Sequence, residues 1–216
     1  MRLRGVSISH IAVNPEENMK TLYRVFGALA VSGALALSSV PASAAPTKVP
    51  EGGDTSVELA PSFLAALASL SVTPEAISPA RIDDVSTSVF ASFPITTGEI
   101  DLGTLKAEID HEGGLSLNAG KTSVKLTAFI IDLTGKTPVL TGLVTVNNNL
   151  VGRLPLFELN LSDAAVDTQN YEAIVSKVGV TLSATAAAAL NKIFNIAALT
   201  DKVVIGTATV RTFVAR

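Results

Sequence analysis

The stretch Leu105–Asn118, LKAEIDHEGGLSLN, decides the fold class. Over its first eight residues the period is two: Leu105, Ala107, Ile109 and His111 fall on one side, and Lys106, Glu108, Asp110 and Glu112 on the other. Apolar and charged residues alternating in this way describe a strand with one face in a core and the other in water. Gly113-Gly114 then punctuates the chain before Leu115–Asn118, and two short strands around a glycine pair predict a β-hairpin.

The same strand signals extend outward. Val124–Leu133, VKLTAFIIDL, becomes apolar on both faces toward its end, as a central or sandwiched strand does. Val139–Val146 and Val151–Leu161 follow, separated by the turn Asn147-Asn148-Asn149, and Val203–Val214 alternates as a last strand. Pro155 has no N–H to give a ladder, so it calls for an edge or a bulge. Two segments have helical spacing instead. Leu59–Leu70 places Leu59, Phe63, Ala66, Leu67 and Leu70 on one face with Pro61 in the first turn, and Pro74 and Pro79 close that region. Ser183–Asn195 has Ser183 or Thr185 as its cap and a stripe of Ala186, Ala189, Leu190, Ile193 and Phe194. The expected architecture is mainly β, with roughly eight to eleven antiparallel strands in a β sandwich or partly closed barrel, and one helix near each end of the mature domain.

The beginning of the chain has a different character. Residues 25–40, VFGALAVSGALALSSV, form its most apolar run, preceded by Lys20 and Arg24 and followed by Pro41-Ala42-Ser43-Ala44-Ala45. Basic, apolar and small residues in that order predict a secretory signal peptide cut after Ala44. The run falls short of the roughly 20 apolar residues that a membrane anchor needs. Residues 1–18 are polar and aperiodic, and Met19-Lys20 is the better start, so they are expected to be a mis-called extension ahead of a signal at 19–44. Residues 45–55, rich in Pro and Gly, predict a flexible mature N-terminus, and 56–216 a single β-rich domain. The expected location is outside the cell, either free or held noncovalently at the cell surface.

Composition narrows the functions. Of the 216 residues 16% are charged, against about 25% in typical soluble domains, and 48% are hydrophobic. Cysteine is absent, which removes disulfides, thiolate metal sites and thiol nucleophiles. A net charge of −3 gives no basic excess to attract a phosphate backbone, so no nucleic-acid partner is expected. Removing residues 1–44 takes away more basic than acidic groups and makes the exported part more acidic still. No phosphate loop, dinucleotide fingerprint, zincin helix or hydrolase elbow occurs, so the chain is expected to be non-enzymatic. Asp83-Asp84 suit a solvated loop better than a cation site. Glu108, Asp110 and Glu112 resemble an acid pair for glycoside chemistry only superficially, since Lys106 shares their face and a charged outer face blunts a strand edge.

His111 is the candidate site residue. Its parity points it toward the apolar side where the strand ends. Three roles are open to it: a hairpin-end histidine bonded to backbone, a ligand or supporting donor at the mouth of an apolar pocket, and a member of a Ser-His-Asp set with Asp110. The last is disfavoured because adjacent strand residues point to opposite faces. Tyr171, in the polar stretch Asp167–Glu172, is expected to be a surface or half-buried packing residue.

Taken in order, Phe93-Pro94-Ile95, Gly98-Glu99-Ile100-Asp101, GTLKAEIDHEGGLSL, Leu140–Val146, RLPLFELNLSDA and VGVTLSATAAAALNKIF resemble the HtaA domain, a secreted bacterial domain implicated in haem acquisition. The resemblance runs from about Leu59 to Phe194 and is diffuse. It implies a β-rich domain with two helices and, for some members, haem bound through a tyrosine of the first helix in an S-F-x-x-Y motif, with support from a strand histidine. Ser62 and Phe63 match that motif, Ala66 stands at the tyrosine position, and His111 stands at the histidine position. The implied function is a secreted, non-enzymatic binding module for haem or another apolar ligand, with His111 as the cofactor-binding residue and the cofactor itself left open by Ala66. The alternative is a structural or adhesive cell-envelope protein whose partners are envelope proteins.

Overall fold

In the computed structural model the described residues are 46–214, so the expected extension (1–18) and export signal (19–44) lie outside the described residues. Two short strands, β1 (Thr47–Val49) and β2 (Gly53–Leu59), lead into helix α1 (Pro61–Ser69). Next come β3 (Thr73–Ile77), β4 (Arg81–Val85) and the long β5 (Ser88–Ile100), then β6 (Ala107–His111), β7 (Gly114–Ala119) and β8 (Thr122–Asp132). β9 (Val139–Val146), β10 (Asn149–Asn160), β11 (Ala165–Gln169) and β12 (Glu172–Leu182) precede helix α2 (Ala184–Phe194) and the last strand, β13 (Val204–Phe213).

All pairings are antiparallel, and eight strands close on themselves in the order β5-β2-β13-β12-β10-β9-β8-β6 and back to β5. The other five lie outside the ring: β1 and β4 pair with β5, β7 with β8, β3 with β7, and β11 with β12. The expected mainly β fold with two helices is therefore present, and the barrel is closed. An eight-stranded barrel has an interior just wide enough for side chains to fill it or for one small ligand. Alternation supplies that interior. In β6, Ala107, Ile109 and His111 are buried while Glu108 is exposed and Asp110 half-buried, as the period of two predicts.

Near the middle of the barrel the ring of Phe129 on β8 meets Phe93 on β5 edge to face, with centroids 5.0 Å apart at 87°. Space for it comes from β9. At Gly142 an added Cβ would lie 2.7 Å from Leu156 Cδ1 and 2.8 Å from Phe129 Cδ1, so the missing side chain accommodates the ring.

Both helices leave from one end of the barrel. β2 ends at Leu59 opposite Gly206, and β12 nears its end at Thr181 opposite Val204, both at the start of β13. α1 and α2 then lay their apolar faces over that end, and α2 also packs on β10.

Several expectations are corrected. Gly113-Gly114 is not a hairpin turn. β6 and β7 do not pair with each other; both run antiparallel to β8, against Ile130–Asp132 and Thr122–Thr127 respectively, as two parts of one interrupted strand. The glycines answer a need for close approach instead. A Cβ on Gly113, whose φ is +76°, would lie 2.5 Å from Ala80 N, and one on Gly114 would lie 2.1 Å from Leu126 O. The reversal falls at Gly120-Lys121, between the paired residues Ala119 and Thr122. Residues expected in a flexible lead-in are strand: Lys48 pairs with Glu99 and Thr55 with Phe93, with Val49 and Thr55 buried. Leu105 lies outside β6 at a φ of 57°, in a turn where its N–H donates to the Asp101 carbonyl. Strands number thirteen among the described residues, because β3, β4 and β11 lie outside the ring and carry little alternation. Pro155 does sit at a bulge, where the β10–β9 register shifts between Pro155 and Phe157.

Candidate functional site

The site begins with His111, the last residue of the strand that closes the barrel. Its neighbours are both irregular at this level. The register of β5 on β6 shifts between Ile95 and Thr97, and that of β8 on β9 shifts between Thr127 and Ile130, around Ala128 at a φ of 49°. The carbonyls of the β8 irregularity are taken by side chains. Arg153 Nη1 donates to Ala128 O at 2.9 Å, and His111 Nδ1 is 3.4 Å from Phe129 O. A carbonyl only accepts, so Nδ1 carries the proton, and Nε2 offers its lone pair to the Thr55 hydroxyl, 2.7 Å away.

His111 is 5% exposed. Burial pulls its pKa down to about 4, outweighing the Phe129 and Ile109 carbonyls, which push it up. The ring is thus neutral at physiological pH, with both nitrogens engaged. Asp110 is on the other face of β6, so the Ser-His-Asp arrangement is not assembled. Thr55, which completes the pair, was hidden in the expected lead-in. The signal was there in GDTSVEL, where Thr55, Val57 and Leu59 alternate with Asp54, Ser56 and Glu58.

Thr55 also lines a cavity of about 120 Å³ in the barrel interior, whose remaining wall is apolar. The wall strands supply Phe93, Ile109 and Phe129, α1 supplies Phe63 and Leu67, and α2 supplies Leu190. The Thr55 hydroxyl hydrogen is spent on His111, so the wall presents no free donor there. Thr55 is four residues before the end of β2, about 13 Å along the strand from the helix-covered end. His111 is correspondingly deep, and its side-chain partners are Thr55 and the Phe129 carbonyl, whereas Ala66 is half-buried on α1.

The two helices are held differently. Ser183 caps α2: its Oγ accepts from the Ala186 N–H at 3.0 Å and donates to Pro155 O at 2.6 Å, joining the helix to the β10 bulge. Further along, the Asn191 side chain bonds both the N–H and the carbonyl of Leu199. α1 has Ala60 at its N-cap with no side-chain bond, no acidic residue in its first turn and no basic residue in its last. Ser183→Ala should therefore lower the unfolding free energy by about 2 kcal/mol, read by urea denaturation, since it strands both a buried N–H and a carbonyl.

The other candidates are peripheral. Glu108 and Glu112 are exposed and Asp110 half-buried on the outer face of β6, and among the described residues no group of three His, Cys, Asp or Glu could hold a metal ion. Asp83 and Asp84 lie on exposed β4 rather than in a loop, Asp83 pairing with Arg81 at 3.5 Å. Tyr171 is 52% exposed in the β11–β12 turn. No described helix is long and apolar enough to cross a membrane.

These features define a closed antiparallel barrel with one end covered by helices and a small apolar interior. In three dimensions the chain is similar to the C-terminal domain of HtaA from Corynebacterium glutamicum, with a TM-score of 0.54 and 16% identity, covering 76% of this chain and 99% of that domain. The HtaA resemblance in the sequence is thus matched by a shared fold. Heme binding protein HtaB from the same organism aligns with a TM-score of 0.48 at 10% identity, over 79% of this chain and 95% of that protein. A domain-swapped dimer of a histidine-to-alanine variant of the HtaA C-terminal domain aligns with a TM-score of 0.48 at 17% identity, over 70% of this chain and 90% of that one. No protein-family model and no curated protein matches the sequence.

Haem, which the resemblance implies, can be tested against these residues. Ala66 has no atom to give an iron, and the His111 lone pair is already bonded to Thr55 inside the barrel. The cavity of about 120 Å³ is well below the roughly 300 to 1,000 Å³ of pockets that enclose drug-sized ligands. The residues present do not fit an iron-bound haem held in the family manner.

Proposed function

We propose that the chain is an exported, non-enzymatic binding module that takes an apolar ligand into the helix-covered end of its barrel. The observation that carries this function is the interior cavity, apolar except at Thr55, where the one hydroxyl is turned to His111. His111 serves the ligand site through Thr55, by accepting the hydrogen bond of its hydroxyl and leaving the wall without a free donor. The signal at 19–44 would deliver the module outside the cell, where a barrel without cysteine relies on its packed core. The absence of catalytic motifs supports a binding role, and the shared HtaA fold is compatible with one.

Titration of the mature chain, residues 45–216, with benzene and separately with haem tests the proposal. Benzene should shift the NMR methyl resonances of Leu67, Leu190 and Ile109, whereas haem should give no Soret shift in either the wild type or His111→Ala. Unchanged methyl resonances at saturating benzene would overturn the apolar-ligand role. A Soret shift that His111→Ala abolishes would overturn the metal-free site.

A further inference from the structure

Building on that apolar-ligand reading, we infer that α1 is a lid, and that it admits a neutral, uncoordinated molecule of single-ring size to the cavity beneath it. Size and chemistry set the ligand class. A cavity of about 120 Å³ is comparable with apolar cavities of about 150 Å³ that stay dry and take up benzene. A charged group would enter a wall with no partner for it, and the cost of burying an unpaired charge excludes such ligands.

The route follows from how the end is closed. Phe63 and Leu67 of α1 and Leu70 just after it line the cavity from above, and Leu67 is the helix's one buried residue. Nine residues make a helix too short to persist alone, below the roughly 12 to 15 that are marginal in water. α1 also lacks the devices that fix α2. Its first turn rests on backbone bonds from Phe63 and Leu64 to the Ala60 carbonyl, with no side-chain cap, and its sequence PSFLAALAS carries no charge to make an ion pair. Its first end is tied to the barrel, since the Ala60 N–H donates to Ile205 O, and its last turn closes on itself through backbone bonds from Ser71, at a φ of 54°, to Ala68 O and from buried Val72 to Leu67 O. α2 is pinned by Ser183 to β10 and by Asn191 to Leu199, so the weaker of the two covers is α1. Segments of low local stability are where binding lids are found.

Two measurements on the mature chain test the lid separately from the cavity. In hydrogen exchange, the α1 amides Leu67 to Ser69 should be at least about tenfold less protected than Ala188 to Asn191 of α2. Ala60→Ser supplies the missing cap at a position whose backbone, φ −63° and ψ 133°, already suits it. It should slow benzene exchange about fivefold while leaving the bound-state shifts unchanged. Equal protection of the two helices, or an unaltered exchange rate in a variant shown to be more protected at α1, would overturn the lid while leaving the cavity site in place. Failure of benzene to bind the wild type at all would remove the cavity site itself, and the lid with it.

Discussion

Between pH 6.5 and about 4 the protein should lose about 3 kcal/mol of unfolding free energy, and His111→Gln should abolish most of that slope. The direction follows from where the proton binds first. The unfolded chain titrates its histidine near 6.5, but the folded chain holds His111 neutral down to about 4, because the ring is buried and its Nε2 lone pair is bonded to Thr55. As pH falls through that window the unfolded state takes up a proton that the native state refuses. Stability is therefore complete above the unfolded pKa and is lost steadily on the way down to the folded one. In residues 45–216, the span to be measured, His111 is the one histidine, so no second imidazole blurs the curve. The carboxylates act lower. The Thr104 hydroxyl and the Gly103 N–H hold Asp101 below its ordinary value of 3.8, and Thr134 does the same for Asp132, so their contributions are present above that value and disappear beneath it. Urea denaturation at pH 7, 5.5 and 4.5 would read the slope, and a flat wild-type profile over this range would contradict the buried neutral ring.

Phe129→Ala should have the largest effect of any single truncation, about 4 kcal/mol. The ring is 2% exposed, stands edge-on to Phe93 and occupies the space that Gly142 leaves open. Opposing backbones in a closed ring of strands cannot collapse onto the gap, so the cavity penalty adds to the lost transfer energy. The Phe129 carbonyl remains, and the His111 bond with it, so the acid slope should survive in the variant. Benzene should then restore part of the lost stability by mass action, because the enlarged cavity binds it in the native state alone. Denaturation with and without benzene would show both effects, and a loss below about 1 kcal/mol would mean that the interior repacks freely.

Local patterning carried much of the fold into the sequence. The inward set Ala107, Ile109 and His111, the bounds of Val139–Val146, the cap at Ser183 and the bulge at Pro155 each depend on residues within a few positions of one another. What was missed is nonlocal. A glycine pair looks alike whether it turns a hairpin or lets other backbone pass close by, and only the approach of Ala80 and Leu126 settles which role Gly113 and Gly114 play. Strands that lie outside the ring, such as the wholly exposed Ala165–Gln169, have no reason to alternate and leave no period to detect. Thr55 was concealed for a related reason, since Pro50, Gly52 and Gly53 beside it suggested a tail although the residues from Thr55 onward alternate.

By itself the sequence determined a mainly β chain with two helices, an inward-facing histidine, no thiol chemistry and an alanine where the resembling family places its tyrosine, because these depend on residue identity and short-range period. Only the tertiary structure decided that five-residue β6 closes the ring between β5 and β8, that Thr55 and His111, 56 positions apart, share one hydrogen bond, and that the interior keeps a small apolar void beneath two unequally fastened helices. Those features come from contacts between distant segments, whose geometry is set by the closure of the whole barrel.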